Sequence, residues 1–194
     1  YPSLTGTSVY WDFVELPSQI LENWCYEPEA LALFAKHYET GELLPKEYVD
    51  RIVESQQFME GYATLRQLNF GYLDMTYHGR REPMEGSVAD FEHSATADTQ
   101  LFSTVKGTLS STAFSHIFQG GYSAGYYSYK WAEVLDADAF ERFKQEGIFS
   151  AAAADGFAEI LSSGGTVAPD ELFKKFRGRD PKVDALLRRA GIAA

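Results

Sequence analysis

The chain has 194 residues, 45% hydrophobic, 15% aromatic and 23% charged, with a formal net charge of −11. This is the composition of a folded globular protein long enough to bury a sizeable core, and its acidity argues against a partner bound through a phosphate backbone, hence no nucleic acid. The single cysteine, Cys25, excludes an internal disulfide and a thiolate-rich metal site and fits a reducing, cytoplasmic setting; no apolar run is long enough to span a membrane.

Residues 1–11, with Pro2, Ser3, Gly6 and Ser8, read as a loop already in progress, and they lack the basic and apolar regions of a signal peptide. Tyr1 is therefore expected to be an internal start. DFVELPSQILENW follows, with Phe13, Val14, Leu16, Ile20 and Leu21 to bury and carboxylates at Glu15 and Glu22. Pro17 favours a helix start near Glu15 or Leu16. Leu31, Phe34, Ala35 and Tyr38 recur at helical spacing, which predicts a helix entered at Pro28 and stopped before Gly41. Pro45 opens a second helix through KEYVDRIVESQQF. From Met59, the segment to Gly79 predicts a longer helix with Leu65, Leu68, Tyr72 and Met75 on its apolar stripe.

Residues 78–86 read as a polar loop, 87–102 as a weaker helix and 106–112 as a break. In the C-terminal third, Phe157, Ile160 and Leu161 precede Gly164-Gly165, a helix stop. Pro169 to Arg177 is a short helix with Leu172 and Phe176 on one face. Asp180-Pro181 starts the last, whose stripe is Val183, Leu186, Leu187 and Ala190, with Arg188 and Arg189 favourably placed in the final turn. The fold class is all-α, in one continuous piece: loop 1–11, helices over 12–78, loop and helix over 79–113, a Tyr-rich segment and helix over 114–146, and helices over 147–194.

The four histidines, His37, His78, His93 and His116, form no H-E-x-x-H motif, so the chain cannot build a zinc site from its own spacing. The Tyr-rich stretch HIFQGGYSAGYYSYKW places Tyr122, Tyr126 and Tyr129 at i, i+4 and i+7, one face of a helix that begins early enough. Gly120 and Gly121 let the backbone bend or approach a ligand closely. Each feature also has a structural explanation: Glu15 at the polar edge of a helix, His116 as a core histidine, the tyrosines as packing, the glycine pair as a turn.

GTSVYWDFVELPSQ resembles the segment of the thimet-oligopeptidase family of zinc metallopeptidases that supplies the third zinc ligand as the glutamate of D-F-V-E. Gly6, Thr7, Asp12, Phe13, Val14, Glu15, Pro17, Ser18 and Gln19 all match. FSHIFQGGYSAGYYSYKW resembles the same family's tyrosine-rich substrate segment, nearest its bacterial peptidyl-dipeptidase (Dcp) branch, as does the ending KKFRGRDPKVDALLRRAGI. The resemblance covers essentially the whole chain. It implies that Glu15 is a zinc ligand and that His116, Tyr122 and Tyr129 are catalytic, contacting substrate or the tetrahedral intermediate. Gly120, Gly121 and Tyr126 would line the substrate site. Asp12, one turn from Glu15, is placed to steady a ligand histidine.

The family's H-E-x-x-H, with two further ligands and the catalytic base, falls upstream of Tyr1. The expected protein is thus a zinc-dependent peptidase releasing C-terminal dipeptides from oligopeptides, of which this chain is the C-terminal part. Its partners are oligopeptide substrates and the missing N-terminal part, and alone it is expected to be inactive and without tight zinc. The alternatives are an oligopeptidase A-like endopeptidase and, from another class, a non-catalytic helical peptide-binding module. His37, His78, His93 and Cys25 have no expected role. Surface around Phe13–Leu21 and the Tyr122 face is expected to be exposed and to invite self-association.

Overall fold

The structure, a computed structural model, describes residues 1–192 and is all-α. Among the described residues the only β pairing is an isolated bridge between Lys36 and Leu43. The chain forms two compact units: residues 1–58 with the chain from Trp131 onward, and residues 59–130.

The first unit holds α1 (Leu16–Glu22), α2 (Pro28–Phe34), α3 (Lys46–Ser55), most of α7 (Ser128–Glu146), α8 (Ala151–Ser163), α9 (Pro169–Arg177) and α10 (Asp184–Arg189). Every residue from Leu135 to Phe140 is buried, so α7 is enclosed on all sides over this stretch and organises the unit. On one side Leu135, Ala139, Phe140 and Phe143 share a core with Phe13, Leu16 and Ile20, and with Phe157, Ile160, Leu172, Phe173 and Phe176 of α8 and α9. On another, Ala137 packs with Ala185 and Leu186 of α10. Trp24 closes the main core edge-on to Phe140 at 4.7 Å and donates its indole N–H to the Ile148 carbonyl at 3.0 Å.

The central helix also buries two acids, and each is compensated. Asp136 accepts from Asn23 and Arg189. Asp138 accepts from Arg177, Arg179 and the Lys182 backbone N–H. Burial pushes the Asp138 carboxyl up, but the hydrogen bond from Arg179, the Lys182 amide and the two positive charges outweigh it, leaving it below the usual carboxylate value. Arg189, expected as a dipole complement, therefore pins the last helix to α7.

The expected exposed surface at Phe13–Leu21 is overturned: Phe13, Leu16 and Ile20 are 7%, 0% and 0% exposed, while Leu21 stands out at 64%. Spaced i, i+3 and i+7, the buried three turn into the core of this chain itself. The helix expected through Tyr38 stops at Phe34. There Leu44 N–H bonds Ala35, and His37 N–H bonds Glu42, closing a hairpin around Gly41 at φ +73°. Gly164-Gly165 does more than stop α8. A Cβ would lie 2.1 Å from the Leu4 carbonyl at Gly164 and 2.4 Å from that of Ser8 at Gly165, so only glycines admit the segment leading into Glu15.

The second unit holds α4 (Glu60–His78), α5 (Val88–Thr96), α6 (Ser115–Phe118) and the Tyr-rich turn. Ser87 caps α5 by accepting from the Asp90 N–H at 3.1 Å. The buried stripe of α4 is not the expected one. Leu68, Tyr72 and Met75 are exposed, whereas Leu73 is buried against Phe114, Ile117 and Tyr126, with the partly buried Phe70 and Tyr77 packed on that cluster.

Candidate active site

Glu15 lies in the first unit, at the residue preceding α1, with Pro17 in the first turn as expected. Its Oε2 accepts from the Ser18 hydroxyl at 2.8 Å, and the same hydroxyl reaches the Glu15 carbonyl at 2.9 Å. The half-buried carboxylate is thus held by its own helix's first turn. Asp12 sits in the preceding short helical turn, Trp11–Phe13. Among the described residues no three His, Cys, Asp or Glu side chains are grouped so as to hold a metal ion. Glu15 suits a divalent metal as one anionic oxygen donor, and among the described residues no further donors are grouped with it.

In the second unit the structure brings His116, Tyr122, Tyr126 and Tyr129 together. The His116 ring meets those of Tyr122, Tyr126 and Tyr129 at centroid distances of 5.8, 5.7 and 6.1 Å. Tyr122 stacks on Tyr129 at 5.1 Å, and Tyr126 lies 5.0 Å from Tyr129. They do not achieve this by sharing a helical face. α7 begins only at Ser128, because Gly121 and Ala124 take positive φ (+84° and +54°), which ends any helix between α6 and Tyr126. The rings converge by folding a turn back over α6.

Gly120 and Gly121 make that turn possible. A Cβ on Gly120 would stand 2.8 Å from the His116 Cα, and Gly121 occupies the left-handed region. The two rings differ in access from their neighbour: Tyr122 and Tyr129 are half-buried, whereas Tyr126 is 9% exposed and packs in the unit's core. Burial raises the Tyr126 phenol, the neighbouring Tyr129 raises it further, and Arg66 opposes both. His116 is exposed, not a core histidine.

Two buried carboxylates that motif reading passed over hold the flanks. Asp74, fully buried, accepts from the Ala124 and Tyr126 backbone N–H groups, each at 2.9 Å, and pairs with His78 Nδ1 at 2.7 Å. Upstream, Glu92 accepts from the Ser110 and Ser111 N–H groups at 2.8 Å and from the Ser111 hydroxyl at 2.6 Å. The Tyr77 hydroxyl donates to that serine at 2.8 Å. Their one sequence signal is an acid inside an apolar helical segment, and for Asp74 a histidine four residues on.

The first unit thus carries an oriented carboxylate at Glu15, and the second, taken by itself, a cluster of one histidine and three tyrosines. Residues 1–192 match the sequence profile of Peptidase family M3, and the chain belongs to that family. It is 49% identical to oligopeptidase A of Haemophilus influenzae over 186 residues, 95% of this chain and 27% of that protein. It is 48% identical to Escherichia coli oligopeptidase A over 190 residues, 96% of this chain and 28% of that protein. The dipeptidyl carboxypeptidase of E. coli is 35% identical over 196 residues, 99% and 29% of the two chains. The chain therefore spans less than a third of the length of these relatives. The leaning toward the peptidyl-dipeptidase branch is not matched by the identities, which are higher to the oligopeptidases.

Proposed function

We propose that the chain is the substrate-binding and third-ligand portion of a zinc-dependent peptidase that cleaves oligopeptides internally, with the remaining ligands supplied from upstream of Tyr1. The observation that carries this reading is the convergence of His116, Tyr122 and Tyr129 on one turn, in a chain of Peptidase family M3. Glu15 would hold the zinc, whose chemistry is to polarise a peptide carbonyl and activate water. The phenols of Tyr122 and Tyr129 and the exposed His116 ring supply N–H and O–H donors toward the carbonyl oxygen as negative charge develops on it. Gly120 and Gly121 leave the backbone open to an extended peptide, and Tyr126 backs the two working tyrosines from the core. We place the protein in the cytoplasm, in keeping with its lone, exposed cysteine.

An internal cut is preferred to dipeptide release because overall identity is higher to the oligopeptidases, 49% and 48%, than to the dipeptidyl carboxypeptidase, 35%. The test is mass spectrometry of products from one peptide with a free C-terminus and its C-terminally amidated twin, using an upstream-extended chain. Internal cleavage of both is expected. Dipeptide release from the free form alone would overturn the endopeptidase reading in favour of the peptidyl-dipeptidase one.

A further inference from the structure

Asp74 is buried completely within α4, beside Leu73 and in the same unit as Phe70 and Tyr77. Removing a carboxylate from water is costly unless hydrogen bonds replace the lost hydration. Its carboxylate accepts from two backbone amides of the Tyr-rich turn, 50 and 52 residues away in sequence, and pairs with His78 one turn further along its own helix. Two amides two residues apart can aim at one carboxylate because the residue between them is bracketed by a left-handed position. That position is Ala124, at φ +54°. An L-residue there is strained and persists only where the surroundings over-determine it. Asp74 supplies that determination from one side. From the other, Tyr122 N–H bonds the His116 carbonyl at 2.9 Å and the Ser123 hydroxyl bonds that of Ile117.

The segment fixed this way is the one that sets where Tyr122 and Tyr129 point. Tyr122 lies two residues before Ala124, and Tyr129 follows Tyr126 by three. With the turn in this shape the two rings stack at 5.1 Å. We propose that Asp74, braced by His78, is a positioning residue that clamps the 122–126 turn in the conformation that brings Tyr122 and Tyr129 together. This inference rests on the functional reading above, in which those phenols act on the peptide.

The experiment combines amide hydrogen exchange on this chain with steady-state kinetics on an upstream-extended form cleaving a fluorogenic oligopeptide. Asp74→Asn keeps the size but turns an N–H₂ toward an amide N–H. Exchange at Ala124 and Tyr126 should accelerate about tenfold or more, with α5 amides unchanged, and kcat should fall on the order of 10²-fold, the loss expected from an ångström of misplacement. His78→Leu should act in the same direction, and His78→Asn, which restores a donor near the Nδ1 position, should recover both readouts. That pair carries the test if Asp74→Asn does not fold. Unchanged exchange at Ala124 and Tyr126 in His78→Leu and in folded Asp74→Asn overturns the clamp. Faster exchange with unchanged kcat overturns its link to function. Tyr129→Phe separates the two readings: if it alone lowers kcat, the clamp fails and the functional reading stands, whereas no effect from it overturns both.

Discussion

Glu92 and Asp138 are both buried acids with lowered carboxyl pKa values, but different groups lower them. At Asp138 the Arg179 hydrogen bond, the Lys182 amide and the charges of Arg177 and Arg179 overcome burial. At Glu92 burial raises the carboxyl, and hydrogen bonds from the Ser111 hydroxyl and from the Ser111 and Ser110 amides more than reverse it. The pH dependence follows from the sign. An acid whose folded pKa is depressed adds stability above its unfolded pKa and loses it as pH falls through the folded value. Glu92→Gln should therefore destabilise residues 59–130 at pH 7 and, from about pH 4.5 downward, approach the wild-type stability. Melting curves of the two proteins at stepwise lower pH test this. A gap that stays constant to pH 3 would show that the charge on Glu92 does not hold the Ser110–Ser111 turn. Tyr129→Phe, argued at the same single-atom level, should lower kcat by roughly 10²–10³ with fold intact, because one oxyanion donor is worth about 2.7–4 kcal/mol.

At the scale of helices, the sequence conveyed the class and most boundaries, since capping and glycine signals act locally. α9 runs from Pro169 to Arg177 as expected and ends on Gly178 at φ +73°, and α4 covers most of its expected span. What it did not convey was which face is inward. Leu65, Leu68, Tyr72 and Met75 form as good a stripe as Phe70, Leu73 and Tyr77, and periodicity cannot choose between two apolar faces of one helix. Tertiary contact with Phe114 and Tyr126 decides it. Residues 31–38 were misread for a related reason: the 3.6-residue pattern continues, but backbone pairing of Ala35 and His37 with the strand-like return outcompetes it. The Glu15 and tyrosine motifs were legible because each is contiguous in sequence. Asp74 and Glu92 were not, because their partners lie 50 and 18 residues away. The inward faces can be checked by paired truncations in urea denaturation. Leu73→Ala should cost about 2–5 kcal/mol and Met75→Ala little, and Ile20→Ala should cost about 2–5 kcal/mol while Leu21→Ala is near neutral. Equal losses within either pair would mean that α4 or α1 is rotated from the orientation described.

For the whole molecule, what matters is that the chain carries one oxygen donor at Glu15 and no metal-holding group among its described residues, yet belongs to a metallopeptidase family whose named relatives are more than three times its length. The Glu15 carboxylate is held in place by its surroundings. Ser18 fixes one oxygen, Pro17 fixes the start of α1, and Phe13, Leu16 and Ile20 anchor the turn on both sides in the core. A carboxylate held this firmly loses little entropy on binding a cation, but one carboxylate cannot by itself build the tetrahedral shell of a zinc site. Elemental analysis should accordingly find no stoichiometric zinc on this chain and about one zinc per molecule on a folded, upstream-extended form, the latter lost with Glu15→Ala. Ser18→Ala should weaken that zinc by roughly tenfold, since a group that orients a ligand is worth about 10–100-fold in metal affinity. Stoichiometric zinc on this chain alone would refute the assignment of the other ligands upstream. Zinc absent from both forms, with the extended one folded, would make the protein a helical peptide-binding module.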